Sequence, residues 1–281
     1  QGIRGGSRVT RGRFDSVACL VLVGVATGCV SALSEPPPVA ELGAGSVWES
    51  GSAGDVDALL ENAKTEFSRR PDADAVERAR DLYLEAARAD ETCLEAFLGA
   101  GRATAWLVEH VDDPERRKGL AIEGVYIGQW CGRLHPSEAE CRYRLALAVG
   151  QQARERPSTA EDGLDVMVAL LEELVEEAPD LDSAGPERVL ALVLVRAPGW
   201  PTGPGDPEYG LEHARNAAAR FPDYPPNQMV LGEALLENGQ RDEGRRAFER
   251  GAALAADFEA AGDLEAAEWR AKAVEALADL R

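Results

Sequence analysis

The feature that most constrains this chain is a recurrence of small residues near its C-terminus. Gly210, Ala214, Ala217, Ala218 and Pro222 are followed 34 residues on by Gly244, Phe248, Gly251 and Ala252, with Leu231, Gly232 and Gly239 between them. Self-similarity at one period means that a single supersecondary unit is stacked on copies of itself. Small residues on two successive helices let an antiparallel pair approach closely, and one aromatic per unit fills the gap to the next pair. Fainter copies run through Ala79, Tyr83, Ala86 and Ala87, then Phe97, Ala100 and Gly101, and again through Met167, Leu171, Leu174 and Pro179.

Helix punctuation from residue 55 onward agrees with that reading. Asp113-Pro114-Glu115 and Asp206-Pro207-Glu208 place an acid before a first-turn proline, and Ser137 to Glu140 and Ser158 to Glu161 have capping-box spacing. Gly239 is a C-terminal stop. The run VLALVLV at 189–195 has strand propensity, but its place among helices predicts a buried helix that is apolar all round. The period and residue pattern resemble the tetratricopeptide repeat, so the predicted fold is all-α: a tetratricopeptide-like helical-hairpin array, or α-solenoid, over residues 55–281.

One interruption stands out. Pro179 and Pro222 are 43 residues apart, nine more than one repeat, and PGWPTGPGD at 198–206 supplies nine residues that cannot be helical. That loop is either a functional insertion or tolerated surface length with Trp200 tucked onto the scaffold. Asp180 to Gly185 hints at a calcium loop, but the later ligands are missing, which predicts a plain turn before a helix at Pro186.

The N-terminus reads as an export signal. Arg4, Arg8, Arg11 and Arg13 precede an apolar run, Ser16 to Gly28, that is shorter than the roughly 20 residues a membrane-spanning helix needs. Residues 1–28 are therefore expected to be a signal peptide. Ala26-Thr27-Gly28-Cys29 resembles a bacterial lipobox, which implies acylation of Cys29; the alternative is an ordinary soluble signal and an accidental cysteine. Val30 and Ser31 supply no aspartate, which by the same resemblance implies the periplasmic side of an outer membrane. Residues 29–54, rich in proline, glycine and serine, are expected to be a lipidated N-terminus and flexible tether. Loss of residues 1–28 would take the formal charge from −20 to −23, a surface that repels nucleic-acid phosphates and anionic lipid. Membrane attachment must then come from the lipid.

Cys93, Cys131 and Cys141 remain. A short turn from Gly132 to Pro136 would bring Cys131 and Cys141 onto facing turns of a hairpin, where a disulfide competes with burial as plain thiols. His110, His135 and His213 have no metal-ligand spacing, and there is no glycine-rich lysine loop, nucleophile elbow or paired-cysteine metal motif. The carboxylates of EELVEE at 172–177 read as a solvated helix face. No catalytic residue, metal or cofactor is predicted.

With these parts assembled, residues 180–255 resemble the TatT-type family of lipoproteins associated with TRAP transporters, through Gly185, Pro186 and Arg188, then Arg196, Pro198, Trp200, Pro201, Gly205 and Asp206, and then PDYPPN. The resemblance implies a membrane-tethered, periplasm-facing helical protein. It would bind a small organic ligand, or contact a periplasmic solute-binding protein or transporter, through Arg188, Arg196, Pro198, Trp200 and Asp206. In that picture the 189–195 helix and Trp200 line a channel. The residues alone leave open a protein-interaction scaffold that takes a peptide on its concave face. An enzyme is the least supported class.

Overall fold

The computed structural model describes residues 31–43 and 55–280. The second stretch forms helices α1 (Val56–Phe67), α2 (Ala73–Ala89), α3 (Leu94–His110), α4 (Pro114–Leu134), α5 (Ala139–Glu155), α6 (Ala160–Glu177), α7 (Gly185–Arg196), α8 (Pro207–Arg220), α9 (Pro225–Glu237), α10 (Arg241–Ala260) and α11 (Ala266–Asp279), with no strand among the described residues. Each helix packs against the next in the chain, giving successive antiparallel hairpins. The repeat register has a direct structural counterpart. Gly210 on α8 and Gly244 on α10 both press on the backbone of their hairpin's first helix: an added Cβ would lie 3.1 Å from Ala191 O and 3.0 Å from Gly232 O, respectively. Only a hydrogen fits at either place. Gly232 in turn faces the buried ring of Phe248.

Asp113 and Asp206 cap α4 and α8, accepting from Glu115 N and Tyr209 N at 3.0 Å each. Gly239, at φ +74°, ends α9 while Gln240 N donates to Leu235 O at 2.8 Å. The two serine caps are corrected. α5 and α6 start one residue late for Ser137 and Ser158, after Glu138 and Thr159, and neither cap residue bonds through its side chain to the helix. Thr159 instead donates its hydroxyl back to Arg156 O. Helix α4 runs through Gly132 to Leu134, so the turn before α5 comes later than expected. Cys131 and Cys141 are joined across that turn as a disulfide with Cα atoms 5.3 Å apart, while Cys93 is a part-buried free thiol. Residues 189–195 are helical: Leu190, Ala191, Val193 and Leu194 are buried.

The tether expectation needs correction over part of its length. Residues 31–43 lie docked across α6, α4 and α2, burying Ala32, Val39 and Leu42. Helix side chains satisfy the backbone of this strap: Gln129 donates to Ser34 O at 3.1 Å, Trp130 to Pro37 O at 2.8 Å and Arg88 to Leu42 O at 2.7 Å. Composition counts too few apolar residues for autonomous folding, but this segment uses a surface that the helices have already built. Pro36, Pro37 and Pro38 lose little further freedom on docking, because their φ angles are restricted before they bind. The signal peptide, Cys29 and residues 44–54 lie outside the described residues.

Candidate functional site

The first helices of the hairpins, α3, α5, α7, α9 and α11, line a concave groove made of three cavities that share walls. The largest, about 600 Å³, is enclosed by Phe67 at the end of α1 and Arg70 just after it, Arg102, Trp106 and His110 on α3, Arg144 and Gln151 on α5, Arg188 on α7, and Glu268, Trp269 and Lys272 on α11. Its two ends of chain are brought together by ion pairs. Arg70, which lies 4.0 Å above the Phe67 ring, meets Glu265 at 2.6 Å. His110 stacks on Trp106 at 3.8 Å and reaches Glu268 at 3.3 Å. The superhelix thus curls until its last helix touches its first hairpins.

The carboxylates of this cavity are engaged: Glu265 by Arg70, Glu268 by Lys272 at 2.6 Å, Glu109 by Arg154 at 2.9 Å and Asp182 by Arg188 at 2.6 Å. Burial alone would raise the Glu268 carboxyl, but Lys272 and His110 hold it below its ordinary value. The wall carries five cations against four carboxylates, so a chain of net charge −20 presents a nearly neutral, slightly cationic interior here. Aromatic surface supplies the rest. Tyr224, Phe258 and Trp269 meet edge to face with centroids 5.5 to 6.3 Å apart. Such a wall binds by stacking, hydrogen bonding and local charge.

The second cavity, about 440 Å³, is mostly apolar and lies among Leu164 and Met167 of α6, Val189, Leu192 and Val193 of α7, and Pro198. The third, about 390 Å³, connects Leu192 and Arg196 to Met229, Phe248 and Trp269.

The sequence-predicted residues divide among these places. Arg188 is buried and committed to the scaffold. Its guanidinium donates to Asp182 O at 3.0 Å, Ser183 O at 3.2 Å and Asn227 Oδ1 at 3.0 Å as well as to the Asp182 carboxylate. The turn at Asp182 to Ala184, where three residues adopt positive φ, is held by this network, and Tyr143 donates to the same Asp182 carboxylate oxygen as Arg188, at 2.8 Å. Burial pushes the Tyr143 hydroxyl well above its ordinary value and Tyr224 up to about 12. Arg196 forms a two-pronged pair with Glu233 of α9, at 2.5 and 2.6 Å, on the groove rim. Pro198 closes one end of the apolar cavity, whereas Asp206 caps α8.

Trp200 is corrected on both counts. It neither tucks onto the scaffold nor lines a channel, but stands 90% exposed at the tip of the 198–206 loop. Gly205 N donates to Pro198 O and Asp206 N to Leu194 O, both at 2.9 Å, which closes the loop on itself and turns its tip outward. The sequence reading missed Phe67, Trp106, His110 and Trp269. The signal available was a large aromatic on α1, α3 and α11, at Phe67, Trp106 and Trp269, but α7 and α9 carry none and such residues are shared with ordinary core positions.

Comparison with solved structures agrees with the architecture. The chain is similar to a thermophilic TPR protein from Thermus thermophilus, at 16% identity and TM-score 0.57, covering 78% of this chain and 99% of that one. The fold is a tetratricopeptide-like solenoid. Weaker likenesses are an RS-1 MamA carrying the ArsTM double mutation (19% identity, TM-score 0.47, covering 74% and 99%) and MamA protein (16%, 0.40, covering 71% and 91%). No protein-family model matches the chain, and no curated protein aligns with it significantly. No described helix is long and apolar enough to cross a membrane, and the described residues hold no cluster of potential metal ligands.

Proposed function

We propose that this chain is a binding scaffold of a bacterial envelope, exported, acylated at Cys29 and held on the periplasmic side of the outer membrane, which takes an extended segment of a partner protein along its concave groove. One observation carries the reading: the three cavities share Gln151, Arg188, Leu192, Arg196 and Trp269, so they form one continuous trough along alternate helices. Drug-sized ligands occupy about 300–1,000 Å³. The joined trough exceeds that range, which suits a polypeptide that stacks on Trp106 and Trp269 at one end and buries apolar side chains against Met167 and Leu192 at the other.

The test is selection from a random-peptide display library on the lipid-free protein (Cys29→Ser). Enriched peptides should lose binding to Trp269→Ala; peptides that hold that variant equally well would place the binding surface elsewhere.

The apolar cavity beside Pro198 favours a second reading. At about 440 Å³ it is the size of a single small ligand, and it abuts the loop that carries the resemblance to TRAP-associated lipoproteins. On that reading a small apolar or organic-acid solute sits there, and a solute-binding protein is the partner. Met167→Trp would fill this cavity and abolish solute binding while leaving peptide binding at the Trp106–Trp269 end intact.

A further inference from the structure

The docked strap fixes where a lipid anchor would leave the domain. Its first described residue, Ser31, lies within 3.3 Å of Asp162 at the start of α6, and Ala32 N donates to the same carboxylate at 2.6 Å. The chain then crosses α4, where Arg133 grips Glu35 at 2.8 and 3.1 Å and Tyr126 meets Ser34 at 3.3 Å. It ends on α2, with Arg88 bonded to Leu42 O and Gly43 packed over Leu84. Pro38, at φ −51° and ψ 148°, lies in the polyproline region. An extended proline-rich segment, read through its carbonyls by an indole N–H and an amide, is the recognition mode of polyproline-binding domains, used here within one chain. Covalent continuity gives such a segment an effective concentration on the order of millimolar, so outside peptides compete poorly for the site.

All three helices under the strap are the second members of their hairpins, whereas the groove is lined mainly by first members. We propose that the strap makes the anchor a fixed mount on the convex face: acylated Cys29 emerges beside the start of α6, the bilayer lies against that side, and the groove opens away from it. This rests on the acylation of Cys29 in the function proposed above. Only Val30 lies between Cys29 and Ser31, two steps of chain with a reach of at most about 7 Å. Were residues 29–54 free, their root-mean-square reach would be roughly 28 Å, enough for the domain to tumble. Docking thus turns a leash into a bracket, and a partner approaching from the aqueous side meets an open groove.

The experiment uses the full chain, processed in a bacterial host and reconstituted into phosphatidylcholine vesicles carrying a headgroup-level acceptor dye. A donor is attached in a Cys93→Ser background at Glu161→Cys, exposed beside Asp162, or at Lys272→Cys, in the groove wall. Energy transfer should be severalfold stronger from 161 than from 272. Ala32→Asp sets a second carboxylate against Asp162 without altering any helix; it should bring the ratio towards one while far-ultraviolet circular dichroism stays unchanged. Equal transfer from both sites with the native strap overturns the inference, as does an unequal ratio that survives Ala32→Asp once proteolysis shows the strap released. Mass spectrometry of the N-terminus separates the two failures. An unmodified Cys29 defeats the envelope-anchoring reading and this inference together, whereas an acylated Cys29 with equal transfer defeats this inference alone.

Discussion

Gly232→Ala adds one methyl group where the helices of the α9–α10 hairpin come closest. The new Cβ would lie 2.7, 2.8 and 3.0 Å from three atoms of the Phe248 ring. Carbon atoms sit comfortably at about 3.5–4.0 Å, so the ring or the helix must retreat by roughly 0.8 Å. Phe248 is 6% exposed and packs with Met229, Leu236, Ala252 and Leu277, so it cannot simply swing into solvent. Overpacking of this kind costs typically about 1–3 kcal/mol. The better helix propensity of alanine returns about 1 kcal/mol, leaving a net loss of about 0–2 kcal/mol. Gly119 provides the control, because it sits within α4 with no atom inside 4 Å of an added Cβ. There the same substitution should stabilise by about 0.5–1 kcal/mol. Urea unfolding followed at 222 nm compares the two, with hydrogen exchange at α9 and α10 to localise the effect, since arrays of this kind lose cooperativity readily. A Gly232→Ala protein as stable as Gly119→Ala would refute the close-approach argument and the repeat register with it.

Other consequences follow from the same contacts. Arg188→Met leaves Asn227 Oδ1 without its donor and the Asp182 carboxylate with Tyr143 alone, and should cost about 1.5–3 kcal/mol, the range for hydrogen bonds to charged groups; an unchanged urea midpoint would show that the turn at 182–184 does not need it. Glu155 ties the end of α5 to Arg117 and Arg154 at 3.0 Å each, and although burial alone would raise its carboxyl, those partners hold it below the ordinary value. A depressed folded pKa means that its contribution is present above the unfolded pKa and fades as pH falls through the folded one. Between about pH 5 and pH 2 the native chain should therefore lose more stability than Glu155→Gln, and parallel acid curves would contradict the assignment. Reducing the Cys131–Cys141 disulfide, which spans ten residues, should lower stability by about 2.5–3 kcal/mol on the loop-entropy model, read as a shift in the urea midpoint with and without dithiothreitol.

What the sequence made legible was local. The glycine and alanine spacing, the Asp-Pro helix starts at 113 and 206, and the stop at Gly239 are decided by neighbours within a few residues or by one helix-to-helix contact. The groove was hidden because its walls meet across the whole chain: Arg70 finds Glu265, and His110 finds Glu268, only once the superhelix has curled. Trp200 misled because a tryptophan beside prolines and glycines is usually anchored, and the backbone bonds that close its loop face outward leave no trace in composition. The strap was misread for a related reason. Rules based on the composition of a segment measure whether it can fold alone, and residues 31–43 do not: they fold onto Trp130, Gln129 and Arg88.

The most direct measurement is site-specific photo-crosslinking in living cells with benzoylphenylalanine placed at Trp106, Leu192 and Trp269 in the groove, and at Glu173 and Arg250 on second-member helices. The account predicts that all three groove positions trap one and the same polypeptide, and that the other two do not. Crosslinks to a polypeptide from Glu173 or Arg250, with the groove positions silent, would contradict it.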